Sequence, residues 1–155
     1  MTRAFARSRK GERAIDYAPH GHWNTTTLIA GITLESAIAP MVLEGPMDTA
    51  AFEAYLEHML IPALPTGSIV VMDNLSSHKS HNVGVLLREA GAELIYLPPY
   101  SPDFNPIEQM WSKVKGHLRS AKARTQEDLY QAIGTALSLI TPNDTRGFFS
   151  AASYL

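Results

Sequence analysis

Two carboxylates stand at positions where the chain can hold them rigidly. Asp73 ends the apolar run "GSIVVMDN" (67–74), and Glu108 ends the proline-rich stretch "LPPYSPDFNPIE" (97–108). An apolar run that stops at an acid is typical of a buried strand whose carboxyl end faces a site. Carboxylate oxygens are ligands for hard cations such as Mg²⁺, and two such ions can activate a water or a 3′-hydroxyl in phosphodiester chemistry. The sequence therefore predicts a metal site built from Asp73 and Glu108, for Mg²⁺ or Mn²⁺.

The residues ahead of Glu108 allow two interpretations. Asn105 is a good N-cap and Pro106 suits the first position of a helix, which places Glu108 at the third position. Glu108 could close a capping box on the Asn105 N–H. Alternatively, the stiff loop holds the carboxylate in place for chemistry. The second interpretation is favoured because no basic residue lies three or four positions after Glu108 to pair with it.

The same predicted helix carries a basic stripe. Ile107, Met110 and Val114 fall on its apolar face, and Glu108 lies on the polar face, followed by Lys115, Arg119 and Lys122. Ten of the thirteen Lys and Arg residues lie in 1–13 and 111–124, whereas 14–110 holds eleven acids against two bases, a net of −9. A polyanion could dock on such patches.

DNA is the predicted partner for the basic residues, and the predicted contacts are Lys115, Arg119, Lys122, Lys113 and Lys79. Composition alone favours the alternative that both basic patches are solvated surfaces.

Hydrophobic periodicity predicts one α/β domain. Strands are expected at 23–34, 37–45, 67–74 and 92–99, with the first two antiparallel and Pro40 marking an edge or a bulge. Helices are expected after an N-cap at Asp48, through 83–90 up to Gly91, from Pro106, from Thr125 with its capping-box signature, and between 141 and 154. The 155 residues suffice for one domain.

Several classes of protein are excluded or disfavoured. The chain has no cysteine, so disulfide frameworks and thiolate metal sites are excluded, which is consistent with a reducing compartment. The most apolar stretch, 28–43, is interrupted by Glu35 and Pro40 and is too short to span a bilayer. No apolar run follows the basic N-terminus closely enough to form a signal peptide. We therefore expect no membrane partner.

The segments "VMDNLSSHKS" (71–80) and "LIYLPPYSPDFNPIEQMWSKVKGHLR" (94–119) resemble DDE transposases of the mariner superfamily, in the bacterial insertion-sequence branch. The shared features are Asp73 and Asn74 followed by His78, the Leu-Pro-Pro-Tyr-Ser-Pro loop, Asn-Pro-Ile-Glu (105–108), and the thirty-four residues between the two acids. A weaker resemblance extends over the rest of the chain, through "RKGER" (9–13).

This resemblance implies an RNase H-like (retroviral-integrase-like) α/β fold, a mixed sheet flanked by helices. It implies Mg²⁺-dependent cleavage and strand transfer at transposon ends, in the bacterial cytoplasm at the nucleoid. Asp73 would be the second acid of the catalytic triad and Glu108 the third, with Asn74, His78 and Asn105 as active-site neighbours.

The sequence also departs from the family pattern. The family's first acid lies on a first strand, ahead of the "RKGER"-like turn, and a helix-turn-helix region precedes it. We therefore expect residues 1–155 to be a single catalytic domain truncated at its N-terminus, without that strand and without the helix-turn-helix. The expected partners are transposon-end and target DNA, together with a second copy or an upstream transposase segment. The alternative is a non-catalytic remnant that binds DNA, or that dimerises with full-length transposase and inhibits it.

Other polar residues are given the simpler interpretation. Asp16 could replace the first acid, but a surface turn is favoured. The pairs His20 with His22 and His78 with His81 could bind metal, but exposed loop histidines are favoured. Ser76 and Ser77 lack the glycine pattern of a nucleophile elbow. Trp111 is expected in the core and Asp103 in a turn.

Overall fold

The structure is a computed structural model that describes residues 7–15 and 25–155. The chain forms two compact units, one made of Met1–Trp23 and Trp111–Leu139, the other of Asn24–Met110 and Ile140–Leu155. In the first of the described segments, "RKGER" forms an exposed turn in which the Glu12 N–H donates to the Arg9 carbonyl at 3.0 Å. No helix of the described residues is long and apolar enough to cross a membrane.

The larger unit begins with an antiparallel pair, β1 (Thr26–Ile32) and β2 (Ala37–Glu44). Ile29 faces Met41 and Gly31 faces Ile38, so β2 carries one extra residue at this point. Ala39 lies within this bulge, with a φ of 47°. The predicted strands, their antiparallel pairing and the irregularity at Pro40 are confirmed. The irregularity is consistent with the chemistry of proline, because Pro40 has no N–H to donate to the strand ladder.

The second pair is parallel, and a helix connects its strands. β3 (Ile69–Met72) pairs with β4 (Glu93–Tyr96), with α2 (His81–Glu89) between them in the chain. Ser80 caps α2, and Gly91, with a φ of 73°, follows its C-terminus as predicted. The four described strands thus form two separate two-stranded sheets.

Burial of β3 is less complete than the sequence suggests. The prediction of a buried strand is confirmed at Met72, which is 7% exposed, but is wrong at Ile69, which is 60% exposed. Among the described strands, β3 has β4 as its single neighbour. A strand covered on one side leaves much of its apolar surface in water, which explains the difference.

The core of this unit lies between the strands and the first two helices. α1 (Thr49–Tyr55) begins at the predicted N-cap Asp48, whose side chain accepts from the Ala51 N–H at 2.8 Å. It continues into a π-helical turn (Leu56–Leu60) and a 3₁₀ turn (Ile61–Ala63). The buried cluster consists of Phe52, Tyr55, Leu56, Leu60, Met72, Val83 and Leu87. The C-terminal helix α5 (Pro142–Ala151) belongs to the same unit, and its buried Thr145 hydroxyl lies 2.6 Å from the Leu34 carbonyl.

The smaller unit is built mainly from two helices. α3 (Pro106–Ala121) enters it at Trp111, and α4 (Gln126–Ser138) starts with the predicted capping box, formed by Thr125 and Asp128. The apolar residues buried in this unit are Val114, Leu118, Ala132, Ile133 and Ala136. Trp111, which the sequence places in the core, is only half-buried.

Candidate active site

Asp73 follows β3 directly, and one of its two carboxylate oxygens is fully engaged. Oδ1 accepts the Leu75 N–H at 2.9 Å and lies 2.8 Å from Nδ1 of His78. Oδ2 has no hydrogen-bond partner among the described residues, and the side chain is 50% exposed. The loop therefore fixes the direction of the carboxylate and leaves one oxygen open to solvent.

His78 is itself held from two sides. Its ring centroid lies 4.2 Å from that of Phe52 on α1, with 32° between the ring planes. Its carbonyl accepts the Tyr96 hydroxyl at 2.6 Å. Burial raises the pKa of the Tyr96 phenol. The His78 side chain is 18% exposed, so most of the imidazole is covered by other residues of the protein.

Asn74 joins the Asp73 loop to the start of the proline-rich loop. Its side-chain amide donates to the carbonyl of Leu97. The Leu97 N–H in turn donates to the carbonyl of Met72 at 2.8 Å. Together with the bond from Tyr96, these contacts fasten the segment after β3 to the segment after β4. The contacts of Tyr96, Phe52 and Leu97 with the Asp73 loop were not predicted from the sequence, since nothing in the spacing of these residues distinguishes them from other core and strand residues.

The loop from Leu97 to Asn105 is a chain of constrained backbone. Three prolines restrict it, at positions 98, 99 and 102, and Tyr100 adopts a φ of 57° while its side chain is fully exposed. Pro102–Phe104 forms a 3₁₀ turn, which confirms the predicted turn at Asp103. Non-glycine residues are uncommon at positive φ, so the surrounding structure must hold Tyr100 there.

Glu108 lies in the first turn of α3, as predicted, and is exposed. Its carboxylate makes no hydrogen bond or ion pair with any described residue. The Asn105 N–H, which a capping box would require, donates instead to the Pro102 carbonyl at 2.9 Å. The capping-box interpretation is therefore wrong, because the 3₁₀ turn takes the donor first.

The donor set suits a hard cation only in part. Asp73 Oδ2 and Glu108 are carboxylate donors without protein partners among the described residues, and both are exposed. However, the described residues contain no group of three or more His, Cys, Asp or Glu side chains placed to hold a metal ion. A divalent cation would depend on further oxygen ligands from water, from a substrate or from another acid.

The remaining candidates are dispersed. Ser77 lies in a 3₁₀ turn (Ser76–Lys79) with a buried hydroxyl that has no described partner, and His78 directs Nδ1 to Asp73 and not to a serine. His81 is the first residue of α2. The predicted alternatives Asp16, His20 and His22 lie outside the described residues.

The predicted DNA contacts have different surroundings. Lys79, Lys115 and Lys122 are exposed, and Arg119 is half-buried. The Lys113 ammonium donates to the Leu139 carbonyl at 3.0 Å, at the C-terminus of α4. A cation there satisfies a free helix carbonyl and the helix dipole, so Lys113 has a structural role in addition to any contact with DNA.

Comparison with known proteins identifies the family of the chain. The family model of DDE superfamily endonucleases matches residues 1–130, and the chain belongs to this family. The Tcb1 transposase of Caenorhabditis briggsae, a transposable-element protein, is 26% identical over 120 residues, which are 74% of this chain and 44% of that protein. The predicted DDE family and its mariner-related character are confirmed.

Solved structures show the fold. The Mos1 strand transfer complex matches with a TM-score of 0.79 at 18% identity, over 97% of this chain and 47% of the Mos1 chain. A structure of the Mos1 transposase catalytic domain and raltegravir with Mg matches with a TM-score of 0.68 at 15% identity, over 83% of this chain and 76% of that one. The predicted RNase H-like α/β fold is confirmed. The chain spans about half the length of the curated relative and of the full Mos1 chain.

Proposed function

We propose that this chain is the transposase segment that carries the second and third acids of a DDE site, Asp73 and Glu108, and that it acts in DNA transposition. The observation that carries the proposal is the state of these two carboxylates. Each keeps an oxygen without a described partner, while hydrogen bonds fix the backbone segments that bear them. Exposed carboxylates often lack a protein partner, so the proposal depends on the rigid segments that hold these two acids and on the match of residues 1–130 to the DDE family.

The proposed cofactor is Mg²⁺ or Mn²⁺, held by Asp73 Oδ2 and Glu108 together with oxygens from outside the described residues. When bound, such an ion supplies charge neutralisation at the phosphate and activation of water or of a 3′-hydroxyl. The protein's own contribution is orientation. The Leu75 N–H and the His78 imidazole turn Asp73, and the proline-rich loop sets the starting point of α3. The Mos1 catalytic domain structure with Mg supports this choice of metal.

The proposed substrate is DNA at transposon ends and at the target. The relatives are transposases, and one matched structure is a strand transfer complex. Lys115 and Lys122, with Arg119 between them on the last two turns of α3 and just beyond, would contact phosphates without reading sequence. Lys79, which follows the Asp73 loop, and Lys113 would add positive charge.

We further propose that the chain corresponds to the C-terminal part of a catalytic domain in the bacterial insertion-sequence branch. The pairing of its strands supports this. β1 has β2 as its one described neighbour and β3 has β4, so one further strand would join the two sheets into the mixed sheet of an RNase H-like fold. That strand, from an upstream transposase segment or a second copy, would also bring the first acid. Among the described residues, β1 and β3 each have one neighbouring strand, and an unpaired strand edge favours association with other chains.

The test is nicking of a labelled transposon-end duplex in Mg²⁺. We expect no cleavage by the chain alone, and cleavage when an upstream strand-bearing segment is fused or added in trans. Glu108→Gln should abolish this activity, whereas Glu127→Gln, in the first turn of α4, should leave it unchanged. Equal cleavage by the Glu108→Gln protein would refute the assigned role. Robust cleavage by the chain alone would show that it completes its own triad, and Asp16 would be the next residue to replace.

A second function is favoured by the same open strands. No cluster of three or more His, Cys, Asp or Glu side chains among the described residues could hold a metal ion, and the two separate sheets leave strand edges for pairing. A non-catalytic remnant would use these edges to dimerise with full-length transposase and inhibit it. DNA binding and inhibition in trans, with no cleavage even after addition of the upstream segment, would favour this function.

A further inference from the structure

The hydrogen bond between His78 and Asp73 suggests a specific role for His78, which the family resemblance implies only as an active-site neighbour. We propose that His78 is a positioning residue: its Nδ1 holds Oδ1 of Asp73 so that Oδ2 is presented to a divalent cation. The inference rests on the proposed function, since it assumes that Asp73 is a metal ligand. Groups in contact with ligands often orient them in this way.

The geometry supports positioning over simple loop closure. An aspartate that only closes a turn needs one bond, and the Leu75 N–H already supplies it at 2.9 Å. The second bond, 2.8 Å from His78 Nδ1, falls on the same oxygen and leaves Oδ2 unengaged among the described residues. Two bonds to one oxygen restrict rotation of the carboxylate about its Cβ–Cγ bond. Therefore the open oxygen has a fixed direction.

The imidazole is also anchored, which a positioning group requires. Phe52, only 3% exposed and part of the core, lies against its ring at 4.2 Å between centroids. The Tyr96 hydroxyl fixes the backbone of His78 at 2.6 Å from its carbonyl. Core, imidazole and carboxylate thus form a continuous chain of contacts. The direction of Oδ2 is set by α1 and β4 as well as by the loop itself.

Two substitutions separate the hydrogen bond from the packing. His78→Phe keeps an aromatic ring against Phe52 but removes the donor. His78→Asn removes the ring but places an amide nitrogen where Nδ1 stands, because the two side chains share their first two bonds. His81→Ala, at the first position of α2, is the matched control, since no described residue hydrogen-bonds its ring.

The first readout needs no metal. Exchange of the Leu75 amide with water, measured by NMR, reports how firmly Asp73 Oδ1 is held. We expect faster exchange in His78→Phe and near-native exchange in His78→Asn and His81→Ala. Unchanged exchange in His78→Phe would overturn the inference, whatever the outcome for the metal.

The second readout is Mn²⁺ affinity by calorimetry, on the chain joined to its upstream segment. We expect His78→Phe to weaken Mn²⁺ binding by about 10- to 100-fold, the range seen when a group that orients a metal ligand is removed, and His78→Asn to restore most of it. Equal affinity in both variants, with only a lower Tm in His78→Phe, would reduce His78 to a structural residue and overturn the inference. Mn²⁺ binding that Asp73→Ala does not change would instead overturn the proposed function, which distinguishes the two failures.

Discussion

Replacing Asn74 by alanine tests whether the loop that carries Asp73 is fastened to the proline-rich loop that precedes Glu108. The side-chain amide of Asn74 donates to the carbonyl of Leu97, a residue that is only 8% exposed. Alanine removes the donor and leaves that carbonyl without this partner. Leaving a buried polar group without its hydrogen bond lowers the stability of the folded state by about 1–3 kcal/mol. We therefore expect the free energy of unfolding to fall by about 1–3 kcal/mol.

Urea denaturation measures this change, and thermal unfolding provides a second estimate. For a chain of this length each kcal/mol corresponds to about 2–4 °C in Tm. Asn143→Ala is the matched control, because Asn143 is exposed on α5 and has no described hydrogen-bond partner. Its effect should stay within about 0.5 kcal/mol.

The functional consequence should exceed the change in stability. Without this bond, the described contacts that still hold the proline-rich loop against the Asp73 loop are those of Tyr96 and of the Leu97 backbone. Under the proposed function, we expect cleavage by the chain joined to its upstream segment to fall even where Asn74→Ala remains fully folded. A loss of stability no larger than that of Asn143→Ala, with unchanged cleavage, would refute the idea of a fastened pair of loops.

Four further changes have defined outcomes. Glu108→Gln should lower the Tm only slightly, because the carboxylate has no described partner and its removal costs at most the interaction with the helix dipole, about 0.3–1 kcal/mol; a large drop would indicate a structural role. Tyr55→Phe should raise the free energy of unfolding by about 1–3 kcal/mol, since the buried hydroxyl has no described partner, and a decrease would show that it has one in solution. Hydrogen bonds from Ser80 and then Asn82 lower the pKa of Glu53, so its stabilising effect is present above the ordinary glutamate pKa of about 4.3 and disappears as the pH falls through the lower folded value. Acid unfolding should therefore be less steep in Glu53→Gln than in the parent chain, and parallel curves would contradict this. Replacing Lys115, Arg119 and Lys122 by alanine should reduce the slope of log K for DNA binding against log salt concentration by about 0.9 for each phosphate that the protein no longer neutralises. An unchanged slope would show that these residues form a solvated surface and do not contact DNA.

The elements and the family could be predicted because local signals were strong. Pro40 at the bulge, Gly91 after α2 and the Thr125 capping box each act within a few residues, and all three are confirmed. The acids themselves were found from their place after an apolar run and after a rigid loop. Such signals depend on backbone chemistry that a sequence displays directly.

The contacts that orient the acids could not be predicted, because they join residues far apart in the chain. The spacing of Phe52 indicates a core residue, and nothing local shows that its ring also supports His78. The failed capping box at Glu108 has a similar cause. Asn105 has the right identity and spacing, but the preceding 3₁₀ turn takes its N–H, and only the three-dimensional path of the loop reveals that competition.

The two pairs of strands differ in how far along the chain their partners lie, and this has a consequence for the order of folding. β1 and β2 are joined by the four residues 33–36, so their pairing closes a short loop and a hairpin of this kind forms in about 1–10 μs. β3 and β4 are separated by the twenty residues 73–92, including α2, and parallel pairing must await that crossover. Because the bonds from Asn74 and Tyr96 span the ends of this second pair, we expect the geometry around Asp73 to be acquired late in folding. Slowing closure of the crossover would therefore delay the arrangement of hydrogen bonds around Asp73 without delaying the first hairpin.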